Sequence, residues 1–231
     1  MNTAIIIAGG VGSRMGQEIP KQFLTVNEIP LIIYTLKAFQ KHENTDRIVV
    51  ACLAGWEEAL KAYCRQFSIT KLEAVIAAGV TRFESICNGI KYLKKSAASS
   101  DLITLHDANR PLIFGEIIDR NQKIAREYGN ALTVIPCNDA MFVSYDRITA
   151  DEHIDKKILF QGQTPETFKF NVIDDICKKA IADKAGDLSI SALLLKYNYD
   201  VFLSEGSPLN FKITTSENMD IFKTLANNAC C

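Results

Sequence analysis

The 231-residue chain is 48% hydrophobic and 23% charged, a balance that supports a buried core and excludes a disordered chain. Its net charge of −1 excludes a broad basic surface for nucleic acid or an anionic membrane, so any anion site must be local. Seven cysteines without a C-x-x-C pair read as reduced thiols of a cytoplasmic protein, and no segment approaches the roughly 20 apolar residues of a membrane span. Residues 3–8 form an apolar run and predict a buried strand; with no basic residues ahead of them, no secretory leader is expected. Residues 31–41 have helical spacing, with Leu31, Tyr34, Leu36 and Phe39 on one side. A second strand is predicted over 47–53, a helix over 56–67, a third strand over 72–78 and a helix over 81–95 whose inner face carries Ile86, Ile90 and Leu93. A fourth strand over 102–105 ends at "HDANRP", and a helix over 114–128 and a fifth strand over 131–136 follow.

Strands alternating with helices of this length predict an α/β chain: βαβ units, a mainly parallel sheet and helices on both faces. Ligands of such sheets bind beyond the carboxyl ends of the strands, which singles out the loops at 9–21, 79–85 and 106–111. The alternation breaks over 139–168, where short β-prone pieces are separated by polar turns. This stretch reads as an excursion from the sheet, with a two-stranded arm at about 139–162. A lone hairpin is barely stable in water, so the arm is expected to pack on something, a second subunit being a candidate. Helices over 171–183 and 189–196, a strand over 200–203 and a helix over 217–227 complete one domain spanning 1–231. The terminal Cys230-Cys231 reads as a tail rather than a lipidation signal, because no basic cluster precedes it.

The loop after the first strand, "AGGVGSRMG", is the most informative stretch. A P-loop requires G-x-x-x-x-G-K-[ST], but Met15 stands five residues after Gly10 and no Lys-Ser or Lys-Thr follows. A dinucleotide loop requires G-x-G-x-x-G and a later carboxylate. Here Gly10-Val11-Gly12 is followed by Gly16, one residue late, and the second strand ends without an acid. A bare strand-to-helix turn would explain the glycines alone. It would not need Arg14 inside the loop or Lys21 shortly after it, whereas a loop wrapping a triphosphate needs cations beside its backbone N–H groups to offset about four negative charges.

With Pro20-Lys21-Gln22-Phe23-Leu24 included, this loop resembles the signature of the nucleotidyltransferases that activate sugar and polyol phosphates. More narrowly it resembles the cytidylyltransferases acting on 2-C-methyl-D-erythritol 4-phosphate or D-ribitol 5-phosphate. "GVTRFESI" (79–86), "HDANRP" (106–111), "QTPETF" (163–168) and "NFKITT" (210–215) fit the same family in order, and "FQGQTPETF" and "NFKITT" look closer to the ribitol phosphate branch. The resemblance covers residues 4 to about 225 and implies a Rossmann-like sheet with a protruding arm that makes a homodimer. It also implies CTP, a phosphorylated small-molecule acceptor and Mg²⁺, with neither nucleic acid nor membrane as partner. By position, Arg14, Lys21 and Lys212 would be the catalytic cations. Ala8, Gly9, Gly10, Gly12, Gly79, Arg82 and Ser85 would hold CTP, and Asp107 would bind the metal. Arg110, Asn109, Ala140, Lys156 and Asp187 would face the acceptor, and part of each acceptor site would come from the partner chain.

Beside these roles stand blander alternatives: a turn or capping residue for Asp107, an exposed helix position for Ser85 and an edge-strand solubiliser for Lys212, while His106 reads as a packed, hydrogen-bonding histidine. The reaction that the resemblance implies is an in-line attack of the acceptor phosphate, largely ionised at neutral pH, on the α-phosphorus of CTP with loss of pyrophosphate, which requires no general base. Three histidines and no nucleophilic triad pattern agree with that. The departures from the family sit on the acceptor side. Asp139-Ala140 replaces an Asp-Thr pair, Lys156 beside Lys157 replaces an arginine, Gly186-Asp187 replaces Thr-Asp, and Asn109 replaces a smaller residue. Val80 stands where the isoprenoid enzymes often carry an aspartate. Lysine is a point charge and not a bidentate fork, so that exchange is not neutral. The alternatives are a UTP- or GTP-dependent transferase, a dinucleotide oxidoreductase, and a non-catalytic regulatory or assembly protein of the same fold, against which Arg14, Lys21, Asp107 and Lys212 argue.

Overall fold

The computed structural model describes residues 1–10, 19–186 and 188–228. Its first strand, β1 (Asn2–Ala8), is followed by a 3₁₀ turn at Lys21–Phe23 and a small hairpin of β2 (Thr25–Val26) and β3 (Ile29–Pro30). The βαβ series then runs α1 (Leu31–Lys41), β4 (Arg47–Cys52), α2 (Glu57–Gln66), β5 (Leu72–Ala77), α3 (Arg82–Leu93), β6 (Leu102–Asp107), α4 (Gly115–Tyr128) and β7 (Asn130–Pro136). The remainder is β8 (Met141–Val143), β9 (Glu152–Ile154), β10 (Phe160–Lys169), α5 (Phe170–Ala182), α6 (Ile190–Lys196), β11 (Leu203–Glu205) and α7 (Ser216–Asn228).

Seven strands form one sheet in the order β11-β7-β10-β6-β1-β4-β5. All neighbours are parallel except β10, which runs antiparallel to both β6 and β7. Alternation along the apolar strands builds two cores. Ala4, Ile6, Ile48 and Val50 meet α1, α2 and α4 on one face, and Ile5, Val49, Ile103 and Phe168 meet α3, α5 and α6 on the other. Each fully buried aliphatic side chain of this kind contributes about 1.5–3 kcal/mol over an exposed one. The expected mainly parallel α/β sheet with helices on both faces is therefore what the chain forms.

Three sequence expectations change. The stretch 160–168, assigned to the excursion, belongs to a central strand in which Gln163 to Phe168 are all buried. Its polar look misled because flanking strands and loops satisfy its polar groups; Thr167, for example, meets Thr104 at 3.0 Å. The last strand lies at Leu203–Glu205 and not at 200–203, because the Asn130 side chain ties Asp200 O and Phe202 N outside the ladder. The β-prone "NFKITT" is no strand but an extended loop held by side chains, which removes the edge-strand reading of Lys212. The arm itself is present: β8 and β9 pair only with each other, around a turn in which Asp146 Oδ1 accepts the N–H groups of Ile148 and Thr149, both at 2.8 Å.

Candidate active site

Three parallel strands deliver their carboxyl ends to one edge of the sheet, β1 at Ala8, β5 at Ala77 and β6 at Asp107. Two close approaches there require glycine. A Cβ on Gly9 would lie 2.5 Å from the Ala78 Cβ, and one on Gly79 would collide with Glu84. Buried Gln22 holds the exit of β1 by donating from Nε2 to Ala8 O at 2.9 Å and Gly10 O at 3.0 Å. α3 opens with a capping box, in which Thr81 Oγ1 accepts from Glu84 N at 3.1 Å and the Glu84 carboxylate accepts from Val80 and Thr81 N–H. Ser85, one turn on, is buried rather than exposed; its hydroxyl accepts from Gly79 N at 3.0 Å and donates to Thr81 O at 2.9 Å.

These elements enclose a cleft with two adjoining halves. In the first, Ala8, Gly9, Gly10 and Lys21 face Gly79, Arg82 and Ser85, with Asp107, Asn109 and Lys212 between them. The second shares Arg82, Asp107 and Lys212, and extends past Arg110 to Gln163, Thr164, Glu166, Gly186 and Ser191. Ala140 and Lys156 do not join either half. They lie exposed on the arm, and the Lys156 ammonium donates to Asn138 O at 2.7 Å. Gly12, Arg14 and Asp187 lie outside the described residues.

Asp107 is the electrostatic centre. Its Oδ1 accepts from Arg82 Nε at 3.1 Å, its Oδ2 lies 2.8 Å from Lys212 Nζ and 3.7 Å from Arg110 Nε. Burial alone would raise this carboxyl, but the Arg82 guanidinium, with Lys212 and Arg110, holds it far below the ordinary carboxylate range. Arg82 also reaches buried Glu166, Nη2 to Oε1 at 3.1 Å. Burial opposes the Arg82 charge, and the two carboxylates outweigh it and raise the guanidinium above its ordinary value. His106 is the packed histidine expected: Nε2–H donates to Arg110 O at 3.0 Å, and Nδ1 accepts from Thr164 Oγ1 at 3.1 Å. The Thr164 hydroxyl in turn accepts from Asp107 N at 3.2 Å. Burial pushes the imidazole down to about 4, against the pull of the Arg110 carbonyl.

Two buried asparagines fasten the loop that carries Lys212. Asn109 Nδ2 donates to Ile213 O at 2.6 Å, and Ile213 N donates back to Asn109 O at 2.9 Å. Asn210 Nδ2 donates to Thr164 O at 2.7 Å, while Asn210 O accepts from Arg110 Nη1 at 2.7 Å. Gln22, Thr164 and Glu166 are site residues to which the motif reading assigned no role, although they stand inside "PKQFL" and "QTPETF". Their signal was a polar side chain inside an otherwise buried strand or turn.

The carboxylate of Asp107 is a hard oxygen ligand whose four lone-pair sites carry two short contacts. Among the described residues no group of three or more His, Cys, Asp or Glu could hold a metal by itself. One carboxylate completed by substrate phosphates and water is nevertheless the donor set that Mg²⁺ takes, so the residues present fit that ion.

A family model described as 2-C-methyl-D-erythritol 4-phosphate cytidylyltransferase matches residues 2–226. The chain is 36% identical over 226 residues to a ribitol-5-phosphate cytidylyltransferase of Lacticaseibacillus paracasei, covering 96% of this chain and 97% of that protein. It is 33% identical over 218 residues to a 2-C-methyl-D-erythritol 4-phosphate cytidylyltransferase of Clostridium botulinum, covering 94% of each. Its fold matches the crystal structure of 4-diphosphocytidyl-2C-methyl-D-erythritol synthase from Anaerococcus prevotii, with a TM-score of 0.83, 21% identity and coverage of 98% and 96%.

Proposed function

The chain belongs to the 2-C-methyl-D-erythritol 4-phosphate cytidylyltransferase family, and on that premise we propose that this cytidylyltransferase transfers the cytidylyl group of CTP to a polyol phosphate, D-ribitol 5-phosphate. The observation that carries the acceptor reading is the second half of the cleft. Arg110 and Lys212 stand beside Asp107, suited to a phosphate, and a polar wall of Gln163, Glu166 and Ser191 continues from them. Ribitol-5-phosphate cytidylyltransferases of three bacterial species, 34–36% identical to this chain, support the same acceptor.

In this reading Gly9, Gly10 and Gly79 let backbone approach the cytosine, and Ser85 hydrogen-bonds it. Arg14 and Lys21 hold the triphosphate, Lys212 neutralises the α-phosphate, and Arg110, whose Nε lacks a hydrogen-bond partner among the described residues, faces the acceptor phosphate. Asp107 would hold Mg²⁺, which when bound supplies positive charge against the donor's phosphates. An acceptor phosphate oxygen attacks the α-phosphorus in line, the α–β bridging bond breaks and pyrophosphate carries away the charge. His106 is no base for this step, because both ring nitrogens are engaged. Catalysis is positioning and charge neutralisation. The exposed Phe142, Tyr145, Ile148 and Ile158 of the arm support a homodimer in which Ala140 and Lys156 reach the partner's acceptor site.

Pyrophosphate release from CTP and Mg²⁺ across D-ribitol 5-phosphate, 2-C-methyl-D-erythritol 4-phosphate and glycerol 3-phosphate tests the reading. The highest kcat/KM is expected with D-ribitol 5-phosphate. The family model and the Clostridium relative favour methylerythritol phosphate as the second reading, and a higher kcat/KM with it would establish that one instead. Release with UTP in place of CTP and none with CTP would overturn both.

A further inference from the structure

We propose that Glu166, assisted by Ser191, is a specificity residue that accepts hydrogen bonds from the hydroxyls of the acceptor's polyol chain; this rests on the polyol phosphate reading above. Glu166 is 4% exposed and lies on β10 in the wall of the second half of the cleft. Its Oε1 accepts from Arg82 Nη2 at 3.1 Å and its Oε2 from Ser191 Oγ at 2.6 Å.

As a counter-ion for Arg82 this carboxylate is the second of two. Asp107 already meets Arg82 at 3.1 Å, and an amide oxygen at position 166 would take the same guanidinium N–H without the penalty of burying a second charge. A carboxylate offers about four lone-pair sites, all acceptors, of which these contacts occupy two. The Ser191 proton is committed to Glu166, so Ser191 too presents only lone pairs. At Glu166 and Ser191 the wall therefore presents only acceptor sites, and what this pair complements is a ligand rich in donors.

The opposite polarity lies a short way off, where Lys212 and Arg110 surround Asp107. Nearby, Gly186 lines the same half of the cleft without a side chain, because a Cβ there would sit 2.9 Å from Phe83 Cδ1. The half-cleft thus has a cationic end for one phosphate and, at Glu166 and Ser191, an acceptor end for a hydroxylated chain. A site built to receive hydroxyls discriminates strongly against analogues that lack them, because its own polar groups are then left unpaired.

Steady-state kinetics of Glu166→Gln and Ser191→Ala, with CTP against D-ribitol 5-phosphate and the shorter glycerol 3-phosphate, test this. For Glu166→Gln the KM of D-ribitol 5-phosphate is expected to rise about tenfold, and its kcat/KM advantage over glycerol 3-phosphate to shrink by about tenfold. The KM of CTP is expected to stay within about twofold, since the change is on the acceptor side. Ser191→Ala, which keeps the carboxylate, is expected to shift the same ratio in the same direction by about threefold, and reports on the wall even if Glu166→Gln fails to fold. An unchanged acceptor ratio, or a CTP KM that rises in step with the acceptor's, would overturn the assignment of Glu166. If the wild-type protein releases pyrophosphate with neither polyol phosphate, the polyol reading itself falls and this inference with it.

Discussion

Acidification is expected to destabilise this protein through His106. The ring is fully buried and bonded as the neutral Nε2–H tautomer, with Nε2–H on the Arg110 carbonyl and Nδ1 taking the Thr164 proton. A second ring proton would face a hydroxyl that is already donating, in a site that burial makes hostile to charge. Its pKa falls from 6.5 to about 4 in the fold. Between those values the unfolded chain binds a proton that the folded chain does not, so this contribution is complete above about pH 6.5 and is lost as pH falls toward 4. The whole window amounts to about 3 kcal/mol, and the part between about pH 7 and pH 5 to about 2 kcal/mol. Urea unfolding followed by circular dichroism at both pH values measures it. His106→Gln keeps a donor toward Arg110 and an acceptor toward Thr164 but cannot titrate, so it is expected to start less stable and to lose about 2 kcal/mol less over the same interval. Parallel losses in the two proteins would refute the assignment.

Lys21→Ala and Lys212→Ala are each expected to lose about 10²-fold or more in turnover while melting near the wild-type temperature; near-normal turnover in both would remove the charge-neutralisation mechanism. Gly79→Ala drives a methyl group into Glu84 and disturbs the capping box of α3. Calorimetric titration with CTP is expected to show affinity reduced about tenfold, and unchanged affinity would contradict the close approach. Replacing residues 140–157 by a short Gly-Ser turn is expected to convert a dimer into a monomer in sedimentation velocity, and a truncated protein that still sediments as a dimer would place the interface elsewhere.

Much of this architecture was legible in the chain. The apolar runs at β1, β4 and β6 are buried on both faces, and such continuous runs read as parallel strands. β10 was not legible, because Gln163, Thr164 and Glu166 look like surface residues until their partners are known. Those partners include Asn210, His106 and Arg82, none of them near in sequence. Asn109 was legible only as an unusual residue near the acceptor. In the fold its amide is spent on Ile213 O, where it positions the Lys212 loop.

The sequence by itself determined the βαβ series from α1 to β7 and the family, because these depend on local spacing and on residues contiguous in the chain. Only the tertiary structure decided that Arg82, Arg110 and Lys212 converge on one buried carboxylate and that Glu166 lines the second half of the cleft. Mutual charge compensation in a buried site depends on distances of a few ångströms between residues from α3, β6, β10 and the 206–215 loop, and no pattern read along a single chain contains those distances.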